Sequence, residues 1–287
     1  MVERTTRNLS GATVIVTGAS SGIGAAAAHR FAALGATVAV VGRSVPATKA
    51  VAQSAGGHAH FADFSRLDDV RRLAAELLER YPRIDVLANN AGALFSSHGL
   101  TPDGHERTFQ IGHLAPFLLT TLLLDNLKQS PDARVIQTGS NVYRGGRIDL
   151  DDLNSTRRRY RMMRVYSMTK LATLLFTQEL ARRIHGTTVT TTAFHPGMTA
   201  TNAFRDNRLA SVLTHSWLSP AITPEKGAEP LLYLATTDDP GSVNGRYFHR
   251  FKHEEPRNDQ ARDAEPASKL WEHSAQLTQA PNWRVTH

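Results

Sequence analysis

ATVIVTGASSGIGAAAAHRFAALG, at residues 12–35, is the stretch on which the fold of this chain depends. Residues 12–18 are apolar and β-branched and predict a buried strand, and residues 22–35 predict an Ala-rich helix that Gly35 ends. Glycines between the two allow a tight turn that brings the backbone close to a phosphate. They are Gly18, Gly22 and Gly24. The N–H groups at the start of the helix suit a pyrophosphate. The stretch predicts a dinucleotide site, with a plain connecting turn as the alternative.

Short apolar runs and helical patterns alternate along the rest of the chain. Further strands are predicted at 37–43, 58–63, 84–92, 133–140, 187–197 and 244–250. Helices are predicted at 45–55, 67–81, about 104–127, 159–185 and 224–236. This alternation is typical of βαβ units on a mostly parallel sheet with helices on both faces. We predict an α/β fold of the Rossmann type, with a doubly wound sheet.

Nothing in the sequence divides residues 1–287 into separate units, so one domain is predicted for dinucleotide binding and catalysis. The tail from about 251 to 287 is polar. It contains a short helical stretch at 268–277, in which Trp271 is expected to pack on the body of the protein.

The composition excludes several classes of protein. Hydrophobic residues make up 41% of the 287 residues, which is ordinary for a globular chain. There is no cysteine, which excludes disulfides, thiolate metal sites and a cysteine nucleophile. The 13 histidines show no metal-ligand spacing with acids, and no metal is predicted. No stretch approaches the roughly 20 apolar residues of a transmembrane helix, and we predict a cytoplasmic protein.

Basic residues are in excess, with 33 Lys and Arg against 26 Asp and Glu. RRRYRMMR, at residues 157–164, concentrates five of them, from Arg157 to Arg164. A charge run of this kind is usually a solvated loop and helix start. The alternative is a rim at the mouth of the active site that attracts anions or contacts acidic lipid. Nucleic acid is not an expected partner, because no known binding module accompanies the run.

Arg43 follows the second strand, where an adenosine ribose is expected to lie. An acidic residue there would favour NAD(H), but a guanidinium suits the 2′-phosphate of NADP(H) in charge and geometry. NADP(H) is therefore favoured over NAD(H), with a solvent-facing Arg43 as the alternative. Asp63 follows the third strand and is expected either to accept from the adenine amino group or to cap the next helix.

Tyr166 and Lys170 are four residues apart on a predicted helix and share one face. An ammonium near a phenol stabilises the phenolate, which would lower the pKa of Tyr166. Ser140 ends the fifth strand, at the sheet edge where ligands collect, and its hydroxyl is suited to holding a substrate oxygen beside Tyr166.

These motifs together resemble those of the short-chain dehydrogenase/reductase family. The resemblance rests on TGASSGIG at 17–24, NNAG at 89–92, Ser140, YSMTK at 166–170 and HPGMTAT at 195–201. The compact, single-domain branch matches in order and spacing, and GHLAPFLLT at 112–120 is similar to its retinol-dehydrogenase-like members. The resemblance implies a seven-stranded sheet, a nicotinamide cofactor and interconversion of an alcohol with its ketone or aldehyde.

The resemblance also implies roles for individual residues. Tyr166 would be the acid/base at the substrate oxygen, Ser140 would orient the carbonyl, and Lys170 would bind the nicotinamide ribose and lower the Tyr166 pKa. The residues expected to bind the cofactor are Gly18, Ser20, Ser21, Gly22, Ile23, Gly24, Arg43, Asp63, Phe64, Asn89, Ala91, Gly92, Tyr166, Lys170, Pro196, Gly197 and Thr199. Family members often pair through their long helices, so a homo-oligomer is compatible with the sequence.

A substrate lid is expected at about 198–222, where Phe204, Leu213 and Trp217 would form an apolar wall or pack between subunits. Leu94 and Phe95 are expected to face the same cavity. A mostly apolar pocket fits a lipophilic carbonyl or alcohol.

Gly112 departs from the family pattern, which has an asparagine at this position. The asparagine is associated with a helix irregularity and with a water that passes protons to the lysine. Glycine tolerates a kink but has no side-chain amide. The alternative function is therefore a dinucleotide-binding sensor or scaffold with impaired catalysis. Neighbouring His113 is a weak candidate for replacing the amide.

Overall fold

The computed structural model describes residues 8–197 and 222–281. Its strands are β1 (Thr13–Thr17), β2 (Thr37–Gly42), β3 (His58–Phe61), β4 (Val86–Asn89), β5 (Ala133–Thr138), β6 (Val189–His195), β7 (Tyr247–His249) and β8 (Lys252–His253). Its α-helices are α1 (Gly22–Ala33), α2 (Val45–Ala55), α3 (Leu67–Arg80), α4 (Arg107–Phe109), α5 (Ala115–Lys128), α6 (Met162–Arg183), α7 (Pro224–Thr236) and α8 (Ala264–Thr278). A π-helical turn (Gln110–Leu114) joins α4 to α5.

The strands form one sheet in the order β3-β2-β1-β4-β5-β6-β7-β8. β1 to β7 run parallel, and β8 pairs antiparallel with β7. The chain leaves β1 towards β2 and β3 on one side and returns to β4 on the other. The strand order therefore reverses between β1 and β4, and such a switch point opens a crevice at the carboxyl ends of the strands.

Both faces of the sheet are apolar and are covered by helices, as the continuous apolar strands predict. On one face, Leu73 of α3, Leu118 of α5 and Phe176 of α6 share a core with Trp271 of α8. On the other face, α1 and α2 pack over β1 and β2, and α7 packs beside α1 over β5 and β6. Trp271 is only 2% exposed, so the tail helix belongs to the body of the protein.

The predicted α/β Rossmann fold is confirmed, with three differences in the elements. The seven expected strands are the parallel ones, and the two-residue β8 adds an eighth. α6 begins at Met162 rather than at 159, because the preceding arginines lie in an exposed connection. The tail helix starts at Ala264, earlier than predicted, where the Asp263 carboxylate caps it by accepting from the Glu265 amide at 3.0 Å.

No helix within residues 8–197 and 222–281 has the length and apolar character needed to cross a membrane. Most of the predicted lid lies outside the described residues.

Candidate active site

The glycine turn after β1 forms a close-fitting cradle at the start of α1. A Cβ on Gly18 would lie 2.7 Å from the Ala91 Cα, and one on Gly24 would lie 2.5 Å from the Gly18 carbonyl oxygen. Only glycine fits these two positions. The first intrahelical bond of α1 runs from the Ala25 amide to the Ser21 carbonyl, so the amides of residues 22–24 precede the helical ladder. These free donors fit the diphosphate of a dinucleotide.

Asn90 ties this turn to the neighbouring strands. Its side-chain amide donates to the Thr17 carbonyl at 3.1 Å, and its side-chain oxygen accepts from the Thr138 hydroxyl at 3.3 Å. The Thr17 hydroxyl accepts from the Asn90 and Ala91 amides at 3.0 and 3.1 Å. Asn89, the predicted site residue, is instead 5% exposed, and its side chain donates to the Thr120 hydroxyl on α5. Alternation along β4 explains why the side chains of Asn89 and Asn90 have different surroundings.

Arg43 is exposed directly after β2, and the structure brings this strand end to the phosphate turn. A Cβ on Gly42 would lie 3.0 Å from the Ser20 Cβ. Lys49 on α2 is exposed as well. The role of Arg43 towards a phosphate on the adenosine ribose stays a prediction.

Asp63 forms a local turn after β3, in which its carboxylate accepts from the amide and hydroxyl of Ser65 at 3.0 and 2.8 Å. The capping interpretation of Asp63 is wrong, because α3 begins at Leu67 and the Leu67 amide donates to Asp103 at 2.8 Å. Phe64 is buried in the core, 6% exposed. Of the predicted residues near the nicotinamide end, Pro196 and Gly197 follow β6, and Thr199 lies outside the described residues.

Ser140, Tyr166 and Lys170 come together at the carboxyl end of β5. Tyr166 is partly exposed and hydrogen-bonds with the Ser140 side chain. The Lys170 Nζ lies 5.7 Å from the centroid of the Tyr166 ring and donates to the Thr138 carbonyl at 2.6 Å. Lys170 is only 7% exposed, so its ammonium faces the sheet edge rather than solvent. A proton donor beside a second hydroxyl and a buried cation can hold and protonate a carbonyl oxygen.

Burial dominates the protonation of this group. It raises the pKa of Tyr166 to about 12, although the Ser140 hydrogen bond acts in the opposite direction. Burial lowers the pKa of Lys170 to about 8. The expected lowering of the Tyr166 pKa by Lys170 is therefore wrong, because burial raises it. Tyr166 stays protonated at neutral pH, which suits a proton donor.

Gly112 lies in the π-helical turn, so the irregularity that the family asparagine accompanies is present without it. A Cβ on Gly112 would lie 2.6 Å from the Thr169 Cγ2. The Thr169 hydroxyl donates to the Val165 carbonyl at 3.0 Å, which fixes the methyl in this place. The threonine methyl thus fills space that a side chain at 112 would need.

His113 is a core residue. Its Nε2 hydrogen-bonds with the Ser274 hydroxyl at 2.8 Å, and its ring contacts Phe109 and Phe176. Burial lowers its pKa to about 3. It therefore packs α8 onto the π-helical turn and does not replace the missing amide.

Of the predicted substrate residues, only Leu94 and Phe95 are described; Phe204, Leu213 and Trp217 lie outside the described residues. Leu94 is 5% exposed, and Phe95 is half-buried beneath the Arg107 guanidinium, 4.2 Å from the ring centroid. Tyr160 donates to the Phe95 carbonyl at 2.9 Å, which connects this loop to the segment before α6.

The five arginines between Arg157 and Arg164 are exposed, as expected of a solvated connection. Asp152 accepts from the Arg157 amide at 3.2 Å, and the Arg164 guanidinium donates to the Arg159 carbonyl at 2.6 Å. Their function as an anion-attracting rim stays a prediction. Among residues 8–197 and 222–281, no group of three or more His, Asp or Glu could hold a metal ion.

Comparison with known proteins places this geometry in a family. A family model described as short chain dehydrogenase matches residues 12–211. The chain belongs to the short-chain dehydrogenase family. It is an oxidoreductase that acts on CH–OH groups with a nicotinamide cofactor.

Relatives of this short-chain dehydrogenase are similar over nearly their whole length. Retinol dehydrogenase 13 of Homo sapiens is 38% identical, over 96% of this chain and 87% of the relative. A Streptomyces sp. (strain C5) protein named "Putative daunorubicin C-13 ketoreductase DnrU" is 42% identical, over 93% of this chain and 92% of the relative. The crystal structure of a short chain dehydrogenase from Burkholderia cenocepacia J2315 in complex with NADP has a TM-score of 0.69 and 26% identity, covering 85% of this chain and 97% of that one.

Proposed function

We propose that this short-chain dehydrogenase uses NADP(H) to interconvert a lipophilic alcohol and its ketone or aldehyde, with Tyr166 as the acid/base. The observation that carries the proposal is the group of Tyr166, Ser140 and buried Lys170 at the sheet edge beside the glycine cradle. The cofactor supplies a hydride when it is bound. The residues that would hold it are those of the cradle, Arg43 and Lys170.

The chain's own residues act on the substrate oxygen. The hydroxyls of Ser140 and Tyr166 hold a carbonyl between them, and Tyr166 gives its proton as negative charge develops on that oxygen. The pKa of Tyr166, about 12, keeps the proton available at neutral pH and favours the direction of carbonyl reduction. The Lys170 ammonium, whose pKa is about 8, can return a proton to Tyr166.

Support for NADP(H) comes from the exposed Arg43 at the end of β2 and from the NADP complex of the Burkholderia relative. Support for a lipophilic substrate comes from the names of two relatives, which specify retinol and a daunorubicin ketone. Leu94 and Phe95 would contribute apolar surface to such a pocket. A cytoplasmic location and a homo-oligomer remain part of this proposal.

The test is NADPH oxidation with a panel of ketones, aldehydes and quinones, followed by the same assay on Tyr166→Phe. We expect turnover with at least one lipophilic carbonyl, and a loss of about 100-fold or more in kcat for Tyr166→Phe. The dissociation constant for NADPH should change less than about twofold. Wild-type turnover by the Tyr166→Phe variant would remove Tyr166 from the mechanism.

The alternative is a dinucleotide-binding sensor with impaired catalysis, and Gly112 is its basis. Under this alternative the protein binds NADPH tightly but turns over no member of the panel. Restoring the asparagine distinguishes the two functions only when Thr169 is shortened at the same time, because its methyl occupies the adjoining space.

A further inference from the structure

Two histidines meet at the carboxyl end of β6 and β7, on the face of the sheet that carries α6. Register pairs His195 with His249, and their ring centroids lie 5.2 Å apart. Ala193 and Tyr247 pack in the core beneath α6, whereas Phe194 and Phe248 pack in the opposite core with α1 and α7. Alternation along each strand therefore turns His195 and His249 towards α6 and its Lys170.

One ring nitrogen of His195 makes no hydrogen bond to the described residues. Its Nδ1 is buried and has no hydrogen-bond partner within residues 8–197 and 222–281. Burial, together with the charges of His249, Lys170 and Arg144, lowers its pKa to about 4. The ring is therefore neutral near pH 7 and can accept a proton at one nitrogen while it releases one from the other. Buried polar atoms without a partner are rare in folded proteins and point to a function.

Lys170 needs a connection to solvent if it is to exchange protons. Its Nζ donates to the Thr138 carbonyl, and Thr138 pairs with Phe194 in the β5–β6 register. His195 is the next residue along β6, so it adjoins the carbonyl that holds the ammonium. Position 112, which adjoins Thr169 just before Lys170 in the chain, offers no polar side chain, and the Thr169 methyl fills the space there.

We propose that His195 carries protons between solvent and Lys170, with His249 as the solvent-exposed residue of this relay. The proposal rests on the proposed function, in the direction of carbonyl reduction. Tyr166 gives its O–H proton to the reduced substrate oxygen and becomes a phenolate. The Lys170 ammonium restores that proton and becomes a neutral amine. A proton from solvent reaches His195 through His249, and His195 delivers a proton to the amine, which returns every group to its starting state.

His249, the solvent-exposed residue of the relay, has polar and charged neighbours. The His249 side chain is 44% exposed, and its Nδ1 lies 3.8 Å from a Glu254 carboxylate oxygen and 3.5 Å from the Asn141 Nδ2. The charged and titratable groups near the pair are Lys170 on α6, Tyr143 and Arg144 after β5, Tyr247 on β7, and Glu254 and Arg257 after β8. The Glu254 Oε1 accepts from the guanidinium groups of Arg144 and Arg257, and the Oε2 is the oxygen that faces His249.

Comparison of the first turnover with steady-state turnover isolates this function. The first turnover uses the proton already on Tyr166, whereas each later turnover requires that Tyr166 be protonated again. For His195→Gln we expect a single-turnover rate within about twofold of wild type and a steady-state kcat lower by about tenfold or more. KM and the dissociation constant for NADPH should hold within about twofold. Imidazole should restore kcat in His195→Ala, and His249→Gln should show a smaller loss of the same kind.

The matched control is His185→Gln. His185 is exposed just beyond the far end of α6, roughly 30 Å along the helix axis from Tyr166 at 1.5 Å per residue. It should leave both rates unchanged. If the first turnover of His195→Gln slows as much as later turnovers, His195 positions substrate and the relay is refuted. Unchanged rates in both His195 variants refute it as well.

A measurement that needs no turnover keeps this test separate from the proposed function. The ring pKa of His195, followed by NMR, should rise in Lys170→Met, because the ammonium that opposes protonation is gone. An unchanged ring pKa would show that the two groups do not communicate. A wild-type protein inactive on every carbonyl would count against the proposed function alone, and the titration would still test the contact between His195 and Lys170.

Discussion

The contact between Gly112 and Thr169 predicts how the chain responds to the family's usual asparagine. A Cβ at 112 would lie 2.6 Å from the Thr169 Cγ2, whereas carbon atoms in favourable contact are about 3.5–4.0 Å apart. The overlap is about 1 Å. Thr169 is 1% exposed and held by its hydrogen bond to Val165, so its methyl cannot rotate away without losing that bond.

Overpacking of this kind costs about 1–3 kcal/mol. Replacing a helical glycine returns a few tenths of a kcal/mol at most, since asparagine is itself a poor helix former. Gly112→Asn should therefore lower the free energy of unfolding by about 1–2.5 kcal/mol. Thr169→Ser removes the methyl and keeps the hydroxyl. We expect Gly112→Asn combined with Thr169→Ser to be more stable than the sum of the two single changes by about 1–2 kcal/mol.

The assay is urea unfolding of the four proteins of this double-mutant cycle. Gly241→Asn provides the control, because a Cβ at 241 would meet only the Asp239 carboxylate, at an ordinary 3.7 Å. A Gly112→Asn protein as stable as wild type, or strictly additive changes in the cycle, would refute the steric reasoning. The doubly substituted protein also tests the sensor alternative. A large rise in its kcat would mean that the natural protein is impaired, and an unchanged kcat that glycine is tolerated.

Three further changes test other parts of the structure. Arg43→Asp should weaken NADPH binding by about tenfold or more and leave NADH binding within about threefold, because one charge-assisted contact is replaced by repulsion; equal effects on both cofactors would contradict this. His113 is buried in its neutral form with a pKa of about 3, and its contribution to the free energy of unfolding is complete above pH 6.5. That contribution falls as the pH drops from 6.5 towards 3, and the loss is about 2 kcal/mol at pH 5. His113→Gln should remove that part of the acid sensitivity in urea titrations at pH 7 and pH 5, and a parallel loss in both proteins would count against it. Trp271→Ala should cost about 3–5 kcal/mol, against less than about 0.5 for the exposed Leu277→Ala on the same helix; similar values would show that α8 packs loosely.

The sequence predicts most of the fold because its signals are local. Strand and helix periods, the glycine turn and the positions of Tyr166 and Lys170 are all patterns within a few residues. Contacts across long separations are not visible in this way. The cap of α3 by Asp103 joins positions 36 residues apart. The link from Thr138 on β5 to Asn90, the residue after β4, is of the same kind, and only the alternation at the end of β4 decides which of the adjacent asparagines makes it.

The effect of burial on pKa values cannot be predicted from the sequence either. The spacing of Tyr166 and Lys170 suggests a phenol whose pKa is lowered by an ammonium. Desolvation instead raises one pKa and lowers the other, and its size depends on how the sheet edge and α6 enclose the pair. The role of His195 is hidden for the same reason, since a lone histidine before a Pro-Gly pair carries no sign that its Nδ1 lacks a partner.

The π-helical turn at Gln110–Leu114 makes the chain one residue longer here than a regular helix would need. Each residue of a regular α-helix turns the chain about the helix axis by about 100°, and the wider π-helical turn takes up one extra residue within nearly the same rotation. The segments on either side therefore keep the phase of one continuous helix: Glu106, whose carboxylate accepts from the Phe109 amide, stays buried, and Phe109 stays in the core beneath α6. A one-residue deletion within this turn would be absorbed there, whereas the same deletion in α5 would rotate one end of the helix against the other by about 100°.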